Sequence, residues 1–482
     1  MSRENPGKAR PANGTPARIA YLLASLAILA ILVGLFRPGE LHAINQKEEL
    51  ELGRAVHLQI AKDDALFSDP YVNQYFQKVA GRLVRAAPKQ SFPFHFYLVK
   101  SNTLNAFAVP GGYIYFHTET INSLENEGQM AAILAHEIAH ITSRHFSRRA
   151  EKSSAMTMAS LAGIVAGALL ASSGGHNSAA LGQAVMLGAT GATIQSMLAN
   201  SRADESEADR KGRDYMLKAG YHPKDMYGAF RIMNEKSFSL SSKIPSYLST
   251  HPGISSRLAS TFADQENAPK SPPDPAFLAV RDRVLALTAA PERAINTFQA
   301  RLKENPADAS ALHGLGLVAT RSNRFQQAEK YFRDALAASP GNGEYLSDLG
   351  ALYFQLRKPE QALTEYQAAL KSGDGTPQTC LGLARTSEIL GKTAEAASYY
   401  DRAVSAAGEN FPPALEAAGT FFMKRGENAK GHFILGNYFI QMGKIKEAVF
   451  HYEAALKTPS PYTAQINQIM RDLEPFTDKK KS

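Results

Sequence analysis

Hydrophobic and polar positions divide the chain into stretches of different character. From Ile19 to Phe36 the sequence (IAYLLASLAILAILVGLF) is apolar and uncharged. As a helix rising about 1.5 Å per residue it would span roughly 27 Å, near the thickness of a bilayer core. From 44 to 270 helical and strand patterns mix. Residues 94–100 (FHFYLVK), 105–109 and 113–117 read as strands, the last two turning at Pro110-Gly111-Gly112. An apolar tract rich in Gly, Ala and Ser runs from Ser153 to Asn200, and residues 266–276 (ENAPKSPPDPA) have the Pro-rich polar composition of a linker.

Beyond the linker the pattern is helical and repeats. Ala294, Ala328, Ala362 and Ala396 are spaced 34 residues apart, and an aromatic follows each by four: Phe298, Phe332, Tyr366 and Tyr400. Gly316, Gly350 and Ala384 precede three of the alanines by twelve, and Pro306 and Pro340 close two units. This resembles the tetratricopeptide repeat, a helical hairpin in which a small residue admits a close crossing and an aromatic fills the gap to the next hairpin. A further copy (Gly436, Ala448, Tyr452, Ala455) lies 52 residues after the fourth instead of 34. Residues 409–430 are therefore expected to form one extra helix or a break in the stack. Cys380 falls where neighbouring units have Leu312 and Leu346, which predicts a small core residue.

Composition narrows the classes of function. Lys and Arg total 53 against 45 acids, giving +8, but most of the excess is terminal. Arg3, Lys8, Arg10 and Arg18 precede the first apolar run, and Lys479, Lys480 and Lys481 end the chain. The interspersed body charge argues against nucleic-acid binding. One cysteine excludes a disulfide scaffold or a Cys-rich metal site, so any metal must be held by His and carboxylates. Bases before Ile19 place the chain from residue 44 outside the cytoplasm, in the bacterial periplasm. Leu41-His42-Ala43 resembles a signal cleavage site, whereas the length of 19–36 suits a retained inner-membrane anchor; both readings stand.

Candidate chemistry lies in the first region. His136-Glu137-Ile138-Ala139-His140 sits in a run of good helix formers free of Gly and Pro. On a helix, i and i+4 share a face about 6 Å apart, so both imidazoles reach one metal while Glu137 stands beside it. Zinc suits such donors, and a catalytic site needs a third protein ligand. Downstream, SRADESEADRKG (201–212) crowds Glu205, Glu207 and Asp209 together, an arrangement that requires a nearby positive charge. Glu205 is the candidate ligand. Asp209, on the same face, would hold a ligand histidine by its second nitrogen, while Glu207 would point elsewhere.

The run HEIAHITSRH, followed some sixty residues later by SRADESEADRKG, resembles the metallopeptidase family that includes the CAAX prenyl proteases and the heat-shock membrane protease HtpX. The resemblance covers about 45–262 and includes Asn105-Ala106-Phe107-Ala108-Val109-Pro110-Gly111-Gly112, His251-Pro252 and Arg257. It implies His136, His140 and Glu205 as ligands of one zinc per chain and Glu137 as catalytic base. It also offers His251 or Arg257 as oxyanion donor; His251 has a second option as a fourth ligand that closes the site. A strand at Asn105, Ala106, Phe107 and Ala108 beside the zinc helix would add an extended substrate by backbone hydrogen bonds. Tract 153–200 would act as a helical lid over the cleft or rest on a membrane surface.

The resulting expectation is a mainly α protein. A leader (1–43) precedes an α+β zincin-type metallopeptidase domain (44–265), a linker (266–276), an α-solenoid of tetratricopeptide repeats (277–470) and a basic tail (471–482). Its substrates would be unfolded or misassembled envelope proteins, with the repeats docking them or the outer-membrane assembly machinery. The alternative is a periplasmic chaperone or assembly adaptor whose peptidase is latent.

Overall fold

The computed structural model describes residues 45–62, 66–90, 92–152, 201–239, 247, 250–261, 274–408 and 410–476. The apolar run 19–36, tract 153–200, most of the linker and the end of the tail lie outside these residues. Among the described residues no helix is long and apolar enough to cross a membrane.

Three strands form one small sheet, β1 (His95–Val99), β2 (Ala106–Val109) and β3 (Tyr113–His117), in the order β1-β3-β2. β2 and β3 form the anticipated antiparallel pair; β1 adds in parallel, with Phe96 opposite Ile114. The turn between β2 and β3 depends on glycine. Gly111 and Gly112 have φ of 75° and 89°, and a Cβ on Gly112 would lie 2.2 Å from the Pro93 carbonyl. Any other residue there would be both strained and obstructed.

Helices cover both faces of the sheet. Helix α1 (Gln46–Lys62) lays Leu52, Val56 and Ile60 on Tyr97, Val99, Tyr113 and Tyr115. On the other face Phe96, Leu98, Ile114 and Phe116 join the main core with helix α2 (Pro70–Ala86), after which α3 (Thr118–Ser123) leads into α4 (Glu127–Thr142). α4 carries the histidine motif and is buried almost all round, so it reads as a hydrophobic run with polar residues only where chemistry needs them. Asn126 caps it by accepting from the Gln129 amide at 2.8 Å. Helices α5 (His145–Lys152), α6 (Arg202–Lys218), α7 (Lys224–Ser239) and α8 (Ile254–Thr261) complete this part. A reciprocal capping box between Ser201 and Asp204 starts α6.

Helix α9 (Pro275–Thr288), capped by Asp274, starts the helical array. It is followed by α10 (Pro291–Glu304), α11 (Ala309–Arg321), α12 (Phe325–Ala338), α13 (Gly343–Gln355), α14 (Pro359–Lys371), α15 (Pro377–Ile389) and α16 (Thr393–Ala407). The repeat signature has a direct packing cause: a Cβ on Gly316 would meet Phe332 at 2.5 Å, and one on Gly436 would meet Tyr452 at 2.4 Å. Each of these glycines is the seat of the aromatic sixteen positions later. The 52-residue step holds one extra helix, α17 (Pro412–Lys424), before α18 (Asn428–Gln441), α19 (Ile445–Ala455) and α20 (Thr463–Leu473). Cys380 is buried in the array's core.

The boundary between the two parts is not a clean one. Phe277, Val280 and Val284 of α9 belong to the core around α2 and α4, while Leu285 and Ala286 belong to the core of the array. The helix expected to open a separate domain is shared by both.

Candidate metal centre and catalytic site

Helix α4 presents His136, Glu137 and His140 inward, and all three are buried. His136 Nε2 and His140 Nε2 are 3.0 Å apart. α6 brings Glu205 against them, its carboxylate oxygens 3.5 Å from His136 Nε2 and 3.4 Å from His140 Nε2. His251 completes the group: its Nδ1 is 3.1 Å from Glu205 Oε1 and 3.3 Å from His136 Nε2. One donor atom from each of the four residues lies within 4.8 Å of every other, which suits a single ion. Three imidazole nitrogens and a carboxylate, buried together, are the donor chemistry zinc favours.

The acidic cluster on α6 finds its positive charge in Arg257 of α8. The guanidinium donates to both oxygens of Asp209 and to Glu205, and it lies 4.9 Å over the Phe230 ring. The oxyanion-donor option for Arg257 thus gives way to bracing of these two acids. Asp209 in turn stands 3.0 Å from His136 Nδ1, fixing which nitrogen of that ring faces the donor group. Glu207 turns away from the ligands, as its angular position on α6 dictates, to Arg148 and Lys211 at 2.8 Å.

Electrostatics separate the roles of these groups. Burial opposes ionisation of Glu205, but the His251 charge and hydrogen bonds from all three histidines hold its carboxyl well below the usual range. Burial keeps His140 well below its ordinary value, hence neutral with a lone pair to give. Burial acts on His136 too, but the nearby Asp209 and Glu205 carboxylates outweigh it and raise its pKa. Burial pushes Glu137 up to about 7 against the pull of His251, which suits a group that must take and return a proton near neutrality.

The strand expected to meet substrate is the outer strand of the sheet beside α4. Asn105, Ala106 and Phe107 are buried and Ala108 is half-buried. The Ala108 backbone acts on the Glu137 carboxyl, lowering its pKa against the effect of burial, so this strand runs beside the base.

Two site residues escaped the reading of the sequence. His145 Nδ1 lies 2.7 Å from His140 Nδ1, and its Nε2 is 3.2 Å from Glu207, so it orients His140 from behind. The signal was the last letter of HEIAHITSRH. Tyr247, four residues before His251, stacks on that imidazole with centroids 4.4 Å apart and planes at 27°.

The family model for peptidase family M48 matches residues 68–262, and tetratricopeptide-repeat models match 290–343, 319–378, 377–410 and 429–459. The chain is an M48 peptidase domain joined to tetratricopeptide repeats. The last pair of matched segments skips α17, the helix that breaks the 34-residue period. The chain is similar to relatives named beta-barrel assembly-enhancing protease. That of Escherichia coli K12 is 28% identical over 364 residues, covering 74% of this chain and 73% of its own length. That of Yersinia pestis is 26% identical over 450 residues, covering 90% and 91%. A Vibrio cholerae protein named putative beta-barrel assembly-enhancing protease is 30% identical over 312 residues, covering 63% of each. The M48 domain makes the protein a metallopeptidase. His136, Glu137, His140 and Glu205 all fall within the matched segment.

Proposed function

We propose that this protein is a periplasmic zinc endopeptidase that hydrolyses misfolded or stalled outer-membrane proteins, with the repeats docking those substrates or the assembly machinery. The observation that carries it is the convergence of His136, His140 and Glu205 donor atoms with the Glu137 carboxylate beside them. The relatives' printed name, beta-barrel assembly-enhancing protease, supports the substrate class. Zinc held by these three side chains supplies Lewis acidity that polarises the scissile carbonyl and activates a water at neutral pH. Glu137 takes the proton of the attacking water and returns it to the leaving amine. Asp209 and His145 hold the two imidazoles in the orientation that exposes their Nε2 atoms.

One observation favours a latent state. His251 stands among the donors, where it would serve a bound zinc as a fourth ligand and close the site, and this makes the adaptor reading compatible with a complete catalytic set. Glu137→Gln separates the two. The full-length variant should keep near-stoichiometric zinc and lose casein cleavage; if it also restores outer-membrane assembly in cells, adaptor function dominates. A Glu137→Gln protein that cuts casein as the wild type does removes the base and the peptidase reading with it.

A further inference from the structure

The Tyr247 side chain is fully buried, yet among the described residues its hydroxyl has no hydrogen-bond partner. An orphaned buried hydroxyl costs about 1–3 kcal/mol, and groups of this kind call for a functional explanation. Its surroundings supply one. The Tyr247 ring lies against the His251 imidazole, and the His251 amide donates to the Tyr247 carbonyl at 2.9 Å, which fixes the two together. Among the charges that act on the hydroxyl, Glu137 is foremost, ahead of Arg257, Glu205 and Asp209. Glu137 Oε1 is itself buried, without a hydrogen-bond partner among the described residues, and 3.5 Å from His251 Nε2. Tyr247 and the base of the reaction therefore both border the His251 imidazole, beside the ligand set.

Peptide hydrolysis needs a donor for the oxygen that becomes negative, and the histidine motif does not supply one. The other candidates are committed: Arg257 to Glu205 and Asp209, His251 to the donor group. We propose that the Tyr247 hydroxyl is that donor, a catalytic role that rests on the peptidase reading above. As the water oxygen bonds to the carbonyl carbon, its proton passes to Glu137 and the carbonyl π pair moves onto the carbonyl oxygen. Tyr247 donates a hydrogen bond to that oxygen and keeps its own proton. The pair then re-forms the carbonyl, the C–N bond breaks, and the amine departs with the proton that Glu137 carried. Substrate binding thus gives the hydroxyl the acceptor it lacks in the free protein.

Tyr247→Phe in the full-length protein keeps the ring and its stacking and removes only the donor. Loss of one oxyanion donor lowers kcat by roughly 10²–10³-fold. The expected result is that loss on a fluorogenic peptide, with KM and zinc content unchanged. Affinity for a phosphinic peptide, a mimic of the tetrahedral state, should fall by a similar factor. The thermal midpoint should hold or rise, because an unpaired hydroxyl has been taken out of the core. Unchanged kcat overturns the proposal, as does a variant that unfolds or loses zinc, since either of the latter makes Tyr247 structural. Glu137→Gln measured in parallel keeps the two ideas apart. If it is inactive while Tyr247→Phe is fully active, only the tyrosine assignment fails; if it is active, the peptidase reading fails.

Discussion

Arg283 offers the most direct test of how the two parts are joined. It lies on the shared helix α9, is 3% exposed, and meets three carboxylates: Asp69, the cap of α2, at 2.9 Å, Glu344 at 2.9 Å, and Asp348. Its guanidinium also lies 4.5 Å over the Tyr71 ring. Burial opposes ionisation of Asp348, but the charges of Arg283 and His313 hold its carboxyl well below the ordinary range. Burial raises Glu344, so that acid is the first to protonate if the cation is lost. Arg283→Met keeps most of the side-chain volume and leaves the acids facing one another. Removing one partner of a buried ion pair costs about 3–5 kcal/mol, and three acids on one cation put this site at the upper end. Urea unfolding at pH 7, followed by zinc release and by far-ultraviolet circular dichroism, should show that loss, with zinc release no longer coincident with melting of the repeats. The deficit should shrink at pH 5, where protonation removes the uncompensated charge. A loss under 1 kcal/mol with coincident transitions would refute the argument and show that apolar packing on α9 suffices to join the parts.

Two further outcomes follow from the geometry. His145→Phe removes the group that orients His140, and competition against a chelator should show zinc affinity reduced about 10–100-fold with the fold intact. His117 is buried, its Nδ1 donating to the Thr103 carbonyl at 3.0 Å, and burial lowers its pKa to about 4 from 6.5. Its neutral form is favoured on folding, so its contribution is complete above the unfolded value of 6.5 and is lost as pH falls towards 4. This amounts to roughly 3 kcal/mol. His117→Gln should flatten the difference in urea stability between pH 7 and 4.5, and an unchanged slope would place the acid sensitivity elsewhere.

What could be read in the sequence was whatever has a local period or a local spacing. The three strands, the i,i+4 histidines on α4 and the repeat alanines with their aromatics each follow from one element's geometry, and the structure places each at its anticipated position. The face shared by Glu205 and Asp209 was legible for the same reason, as was the turning away of Glu207. The crowded acids of α6 call for a nearby positive charge, but that Arg257 supplies it to both Asp209 and Glu205 is a contact across 48 and 52 residues, which no local pattern reports. His145 and Tyr247 were missed because a lone histidine or tyrosine near a helix end has many ordinary explanations. The sharing of α9 was missed because Phe277, Val280 and Val284 face one core and Leu285 and Ala286 another, while a helical pattern alone does not say which partner covers which residue.

The repeats are fastened to the peptidase at more than one place. Besides Arg283, Tyr71 donates to Asp374 and Arg293 to Glu119, which lie on opposite sides of the division between the parts. At the far end of the array Arg54 of α1 donates to the Asp472 carbonyl at 2.8 Å, and the turn at Gly443 lies so close to α1 that a Cβ there would stand 2.2 Å from the Leu58 carbonyl. An array held at both ends cannot change its curvature without breaking some of these contacts. α1 in turn covers one face of the sheet whose outer strand β2 runs beside Glu137. A ligand that binds a differently curved array therefore spends part of its binding energy on these contacts. By linkage, anything that loosens them at the peptidase strengthens that ligand's binding by the same free energy. Docking at the repeats and the state of the catalytic domain are in this way parts of one equilibrium, with α9 and α1 as the elements both must move.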